Sequence, residues 1–137
     1  MTIDAIQNGV VIDHIPAGKA MLIYKYLKLD EMDCSVAILQ NVVSNKQGRK
    51  DIIKIDEEIE LNLDVLGYLA PNCTVNIIHG GENVEKSHLS LPNKLVDVIQ
   101  CRNPRCITTI EQGLHHTFKL TNAEQGVYRC IYCEAKA

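Results

Sequence analysis

The run Val10-Val11-Ile12-Asp13-His14-Ile15, bounded by Gly9 and Pro16, decides the fold of the N-terminal part of this chain. Its β-branched aliphatic residues favour an extended, half-buried backbone, and glycine and proline are the punctuation expected at strand ends. Pro16-Ala17-Gly18 then opens a stretch in which Ala20, Ile23, Tyr24 and Leu27 recur at helical spacing. A strand is therefore expected to run straight into a helix.

Working outward, Ser35–Val43 and Asp51–Ile55 read as further strands, joined by a turn at Asn45-Lys46-Gln47-Gly48. Asp64–Ala70 reads as a short helix stopped by Pro71, and Thr74–His79 as a fourth strand. Gly80-Gly81 is a turn, after which Asn83–Ser87 forms a fifth, weaker strand. The order β-α-β-β-α-β predicts an α+β fold of the ferredoxin-like kind, an antiparallel sheet with two helices on one face.

The 137 residues suit one large domain or two small ones, and their 46% apolar and 23% charged content is that of a globular chain. Residues 1–93 carry 8 Lys and Arg against 13 Asp and Glu, whereas residues 94–137 carry 6 against 4. Four of the six cysteines also fall in the second segment. With the connector Leu89-Ser90-Leu91-Pro92-Asn93, these shifts predict domains at 1–93 and 94–137. The net charge of −3, a single Phe and no Trp argue against phosphate neutralisation and base stacking along a nucleic acid. No apolar run approaches the roughly 20 residues of a membrane span. Met1–Val10 lacks the form of a secretory signal, so a cytoplasmic location is expected.

The strongest chemical pattern is Cys101-x4-Cys106 followed after 23 residues by Cys130-x2-Cys133. Two close cysteine pairs supply the four corners of a tetrahedral thiolate site, and such a closed site makes bound Zn²⁺ structural rather than catalytic. About 44 residues have too little core to fold unaided, so zinc is the staple expected of a small zinc-ribbon-like β domain, in which Phe118, Leu120, Tyr128 and Ile131 are candidates to line a few short strands. Arg102, Arg105 and Arg129 flank the ligands and are candidates to offset the excess thiolate charge. A redox Cys130-x2-Cys133 dithiol and free thiols are the competing readings. Cys34 and Cys73 stand outside ligand spacing and read as small buried residues.

In the first segment Asp13-His14 ends a strand, a place where a histidine is either structural or functional. Lys50, Ile52 and Lys54 share one strand face by period two. Two lysines around an apolar residue serve either to grip phosphates beside a base or to keep an edge strand solvated. Asn76 and Ile78 share a face in the same way, and Lys86 follows the Gly80-Gly81 turn. No nucleophile–base pair, paired carboxylates or phosphate-cradling glycine loop has supporting spacing, so the chain is not expected to be an enzyme.

Taken together, Ala5-Ile6, Gly9–Pro16 (GVVIDHIP), Gly48–Ile55 (GRKDIIKI), Ala70-Pro71, Thr74-Val75-Asn76, Lys86-Ser87, Ser90-Leu91-Pro92 and the four-cysteine pattern resemble the regulatory chains of aspartate carbamoyltransferase. The likeness runs in order along nearly the whole chain. It implies a non-catalytic subunit with an N-terminal allosteric domain that binds the nucleotide effectors CTP, UTP and ATP. It also implies a C-terminal zinc domain that docks on the catalytic chain. Regulatory chains of this family pair as homodimers within a holoenzyme of six catalytic and six regulatory chains that controls pyrimidine biosynthesis. By the same resemblance Ala5, Ile6 and Val11 line the base and ribose pocket, with Ile3 and Asp4 beside it. Asp13 and His14 stand near ribose and phosphates, and Lys50, Lys54 and Lys86 hold phosphate and ribose. Ile52 packs beside them, and Asn76 and Ile78 close the pocket. Gly81 and Asn83 depart from the pattern, which has a tyrosine in some relatives at the first and an apolar residue at the second. The alternative from a different class is a zinc-ribbon adaptor that binds nucleic acid.

Overall fold

A computed structural model describes residues 5–45 and 48–137. Ile3, Asp4 and the middle of the Asn45–Gly48 turn lie outside them. The chain packs as two compact units, Met1–Ser90 and Leu91–Ala137.

In the first unit β1 (Gly9–Pro16) is followed by α1 (Ala20–Tyr26), the hairpin of β2 (Val36–Ser44) and β3 (Gly48–Ile55), α2 (Leu63–Leu69), and the hairpin of β4 (Thr74–His79) and β5 (Glu82–His88). The strands form one antiparallel sheet in the order β2-β3-β1-β4-β5. The first four strands have the ferredoxin-like arrangement, in which β1 lies between β3 and β4, and β5 extends the edge.

Strand alternation sorts the residues to two faces. Val10, Ile12, Ile53, Ile55 and Val75 are buried on the face covered by Ala20 and Ile23 of α1 and by Val65, Leu66 and Leu69 of α2. Each such aliphatic side chain contributes about 1.5–3 kcal/mol by leaving water, and this layer is the core of the unit. The side chain of Asn62 caps α2 by accepting from the backbone N–H groups of Asp64 (3.1 Å) and Val65 (3.3 Å).

The start of α1 has no local capping side chain. Asp51, fully buried on β3, supplies one from a distance. Its Oδ2 accepts from the N–H of Gly18 (2.9 Å) and of Ala20 (3.0 Å), and its Oδ1 accepts from the N–H of Asn41 (2.8 Å). Three N–H donors satisfy a carboxylate that would otherwise be costly to bury. Asn41 lies in a bulge of β2, where the register slips between Leu39 and Val42, and Asp13-His14 form a matching bulge in β1 between Ile12 and Ile15. Both bulged strands carry a positive φ, 57° at His14 and 59° at Asn41. Gly9 is required at its position, because a Cβ there would meet the carbonyl oxygen of Ile55 at 2.1 Å.

The second unit is a three-stranded antiparallel sheet of β6 (Lys94–Val96), β7 (Thr117–Asn122) and β8 (Val127–Cys130), with one helical turn, α3 (Ile107–Ile110). Its apolar core is small: Leu95 opposite Phe118, with Tyr128 beside them. Leu120 lies opposite Tyr128 and is half-buried, but Ile131 follows the end of β8, is 46% exposed and lines no strand, unlike the expectation from the sequence. The turn that carries it, between two cysteines, faces outward. Tyr128 donates its hydroxyl to the Pro92 carbonyl (2.5 Å), and the N–H of Leu120 donates to the Asn93 carbonyl (2.9 Å). Those two bonds are why the connector residues pack with the second unit.

Candidate functional site

Two places in the fold gather chemically capable side chains, one on each unit. On the first unit the register places residues of five strands in a single cross-strand row. Ala37 lies opposite Lys54, Lys54 opposite Val11, Val11 opposite Asn76, and Asn76 opposite Lys86. Directly opposed residues of antiparallel strands share a face. This row lies on the face away from the helices, because its members alternate with the buried Val10, Ile12, Ile53 and Val75.

Ile52 and Lys50 continue that face along β3. Lys50 reaches Asp13 across the strands, Nζ to Oδ1 at 2.9 Å. Burial pushes the Asp13 carboxyl up, but the Lys50 ammonium and the N–H of His14 (2.6 Å) outweigh it and leave the group below the usual carboxylate value. The bulge turns the His14 ring to Thr74, Nδ1 to Oγ1 at 3.2 Å. At the other end of the face Ile78 lies opposite both Gly9 and Asn83. Ala5 is exposed and Ile6 half-buried, and Ile6 approaches Gly9 so closely that a Cβ at position 9 would meet its Cγ2 at 2.9 Å. The following residues are tied to the β4–β5 turn, with Gly81 N–H on the Gln7 carbonyl (2.8 Å) and Gly80 N–H on Asn8 Oδ1 (3.0 Å).

The site residues expected from the sequence are thus distributed over one continuous surface. Lys50, Asp13 and His14 gather at the bulge, Lys54, Val11, Asn76 and Lys86 cross the middle, and Ile78 stands near the N-terminal segment. Sequence reasoning missed Thr74, the partner of His14, and Asn83, whose Nδ2 donates to Asn76 Oδ1 at 2.9 Å. Thr74 had a usable signal, since it keeps phase with Asn76 and Ile78 along β4. A concavity of about 580 Å³ elsewhere on this unit includes Val10, Ile59, Leu61, Val75, Ile77 and Val84 in its lining. Among the described residues its wall has Glu58 and Glu60 but no lysine or arginine, so it does not suit a phosphate.

On the second unit the Sγ atoms of Cys101, Cys106, Cys130 and Cys133 all lie within 4.8 Å of one another. Two of the separations are 3.5 Å (Cys101 to Cys133) and 3.7 Å (Cys106 to Cys130), far longer than a disulfide bond of about 2.05 Å. A tetrahedron with metal–sulfur bonds near 2.3 Å has edges of about 3.8 Å, so the four thiols fit one small tetrahedral ion. Each pair sits on a tight turn. Cys106 N–H bonds the Asn103 carbonyl (3.1 Å) and Glu134 N–H bonds the Cys130 carbonyl (2.9 Å), with Glu134 at a φ of 63°.

The groups that meet the sulfurs are backbone N–H groups of Asn103, Thr108 and Ala135, together with the Asn103 side chain on Cys133 and the Thr108 hydroxyl, 3.1 Å from Cys106 Sγ. These take the place expected for the flanking arginines. The Arg129 guanidinium bonds the Glu134 carbonyl instead (3.0 Å), and Arg102 and Arg105 are exposed. Burial pushes the Cys101 thiol up to about 12, while the Thr108 hydroxyl draws Cys106 down to about 6. The cluster is a metal-binding centre by geometry and donor chemistry. Outside it, Cys73 is buried, its thiol pushed up to about 11, and Cys34 is half-buried.

Comparison with known proteins agrees with both halves. Residues 1–90 match the family model described as aspartate carbamoyltransferase regulatory chain, allosteric domain. Residues 93–137 match the metal binding domain of the same regulatory chain. Among the relatives, the aspartate carbamoyltransferase regulatory chain of Bifidobacterium longum is 44% identical over 137 residues, covering 100% of this chain and 99% of its own. That of Clostridium acetobutylicum is 48% identical over 134 residues (98% and 92%), and that of Clostridium tetani 47% identical over 135 residues (98% and 94%). The chain belongs to the family of aspartate carbamoyltransferase regulatory chains, which are non-catalytic, and carries both the allosteric and the metal-binding domain of that family.

Proposed function

We propose that the open sheet face of the first unit binds a nucleoside triphosphate effector, CTP, UTP or ATP. The row Lys54–Val11–Asn76–Lys86 carries this reading, because it sets two cations and an amide around an apolar residue on a solvent-accessible face. Ammonium groups attract phosphate oxygens, and Val11, Ile52 and Ile78 offer apolar surface to a base or ribose. Lys50, Asp13 and His14 border the phosphate end, and Ala5 and Ile6 border the base end.

The second unit takes one Zn²⁺ on Cys101, Cys106, Cys130 and Cys133. Four thiolates leave no open position, so the ion supplies folding energy and no chemistry. Held this way, the unit docks on the catalytic chain of aspartate carbamoyltransferase. The chains pair as homodimers in a cytoplasmic holoenzyme of six catalytic and six regulatory chains. Effector binding shifts that enzyme between two quaternary states, which requires different affinity for the two, of order 1–3 kcal/mol.

The test is calorimetric titration of the full chain with CTP, UTP and ATP, followed by assay of the reconstituted enzyme with and without each. Saturable binding and a change in transcarbamoylase activity are expected. Absence of binding by all three overturns the nucleotide reading.

A further inference from the structure

Asn83 reaches the proposed site through an irregularity of the β4–β5 hairpin. Ile77 lies opposite Glu85 but Ile78 lies opposite Asn83, so Val84 is an extra residue on β5. The bulge places Asn83 beside Asn76, where its Nδ2 donates to Asn76 Oδ1 at 2.9 Å. On its other side Asn76 Nδ2 makes a long contact of 3.5 Å to the Val11 carbonyl.

A carboxamide presents a donor at one end and an acceptor at the other, and a half-turn exchanges them. Here both ends are specified. With the Asn83 amide as it stands, the reversed amide of Asn76 would set its oxygen against the Val11 carbonyl and its NH₂ against the NH₂ of Asn83, two repulsive contacts in place of two attractive ones. The observed orientation leaves the second N–H of Asn76 on the Val11 side of the row, and the next residue beyond Val11 is Lys54. An N–H beside an ammonium is a setting for an anionic oxygen.

We propose that Asn83 is a positioning residue of the phosphate-binding face: it fixes the Asn76 amide so that the row presents hydrogen-bond donors to a polyphosphate. This rests on the nucleotide reading above and adds to it a residue that makes no contact with the phosphate itself. Asn83 is exposed on an edge strand, so its truncation removes no core contact.

The experiment is a double-mutant cycle on the full chain, titrated with CTP and with ATP. Asn83→Ala is expected to weaken both nucleotides about three- to tenfold, the size of one ordinary hydrogen bond. In the Asn76→Ala background the same truncation is expected to change nothing, since the residue it acts through is gone. A purely structural role would lower affinity by the same factor in both backgrounds and overturns the proposal, as does unchanged affinity of Asn83→Ala. Loss of only one nucleotide means that Asn83 reads a base and also overturns it. A wild-type chain that binds neither nucleotide defeats the nucleotide reading and this proposal with it.

Discussion

Lys50 and Asp13 face each other across β3 and β1 with Nζ 2.9 Å from Oδ1, and their side chains are only 16% and 24% exposed. The ammonium of Lys50 is thus already met by a carboxylate at the edge of the proposed phosphate site. Lys54 and Lys86 carry no comparable ion pair among the described contacts, so the two cations differ from Lys50 in what they offer an incoming anion. The pair also pins the bulge that turns His14 toward Thr74.

The first prediction follows for binding. Lys54→Ala is expected to weaken CTP and ATP binding by about ten- to 150-fold, because a hydrogen bond to a charged group contributes roughly 1.5–3 kcal/mol. Lys50→Ala is expected to cost less, since that lysine exchanges Asp13 for phosphate rather than water for phosphate. Both losses should shrink as salt is raised. Calorimetry at two ionic strengths checks this, and equal losses for the two lysines would mean that the Asp13 pair does not restrain Lys50.

A second prediction concerns acid. The Asp13 carboxyl is held below its ordinary value of 3.8 in the folded chain, so folding favours its charged form. Its stabilising contribution is therefore complete above the unfolded value and is lost as the pH falls through the lower, folded value. Lys50→Met removes the partner. The stability gap between wild type and this variant, from urea unfolding, is expected to stay constant from pH 7 to about pH 5 and to close below about pH 4. A gap that persists undiminished in acid would show that Lys50 stabilises by something other than the ion pair with Asp13.

Asp51 supports a third. Its carboxylate accepts three backbone N–H groups that come from the start of α1 and from the bulge of β2. Asp51→Asn keeps the shape but turns one acceptor into a donor facing donors. Each N–H left unsatisfied in the interior costs about 1–3 kcal/mol, so the unfolding free energy from urea titration is expected to drop by that order. A variant as stable as the wild type would mean that water reaches the start of α1.

The sequence was informative where one element decides its own structure. Val10–Ile15, Asp51–Ile55 and Thr74–His79 are β-branched runs that extend for local reasons, and Pro71 ends α2 for a local reason. Period two alone put Lys50, Ile52 and Lys54 on one face, and the two cysteine pairs announced the metal centre. The burial of Asp51 was also legible, since it keeps phase with the buried Ile53 and Ile55, but a charged residue at a strand start invites a solvent reading. The bulges were not legible. They depend on register between strands far apart in sequence, and so do the placement of Lys86 opposite Asn76 and that of Asn83 opposite Ile78. The N–H groups that meet the sulfurs were hidden for the same reason that the arginines were overestimated: backbone donors have no signature in a sequence.

The last prediction is that removing the metal separates the two units. The first has a core of its own, with Ile12, Ile15, Ile23, Ile53, Ile55 and Leu66 fully buried, and needs no ion to fold. The second has Leu95, Phe118 and Tyr128 and little else beyond the cysteines themselves. Without an ion, four thiols would crowd a space where two sulfur–sulfur distances are already 3.5 and 3.7 Å. Structural zinc in small domains contributes roughly 10–16 kcal/mol of apparent binding free energy to folding, comparable to the whole stability of a typical domain. Elemental analysis should find about one zinc per chain, the stoichiometry of one tetrahedral site. A mercurial reagent that takes the thiolates, with a chelator that holds the released ion, is expected to unfold residues 91–137 and leave the first unit intact. Near-ultraviolet circular dichroism should lose the signals of Phe118 and Tyr128 while CTP titration gives an unchanged affinity. The metal-free chain is then expected to fail to join the catalytic chain on size-exclusion chromatography, and zinc added under reducing conditions should restore assembly. Assembly that survives without metal would place the catalytic-chain contact on the first unit. Nucleotide binding lost together with the metal would mean that the two units fold as one.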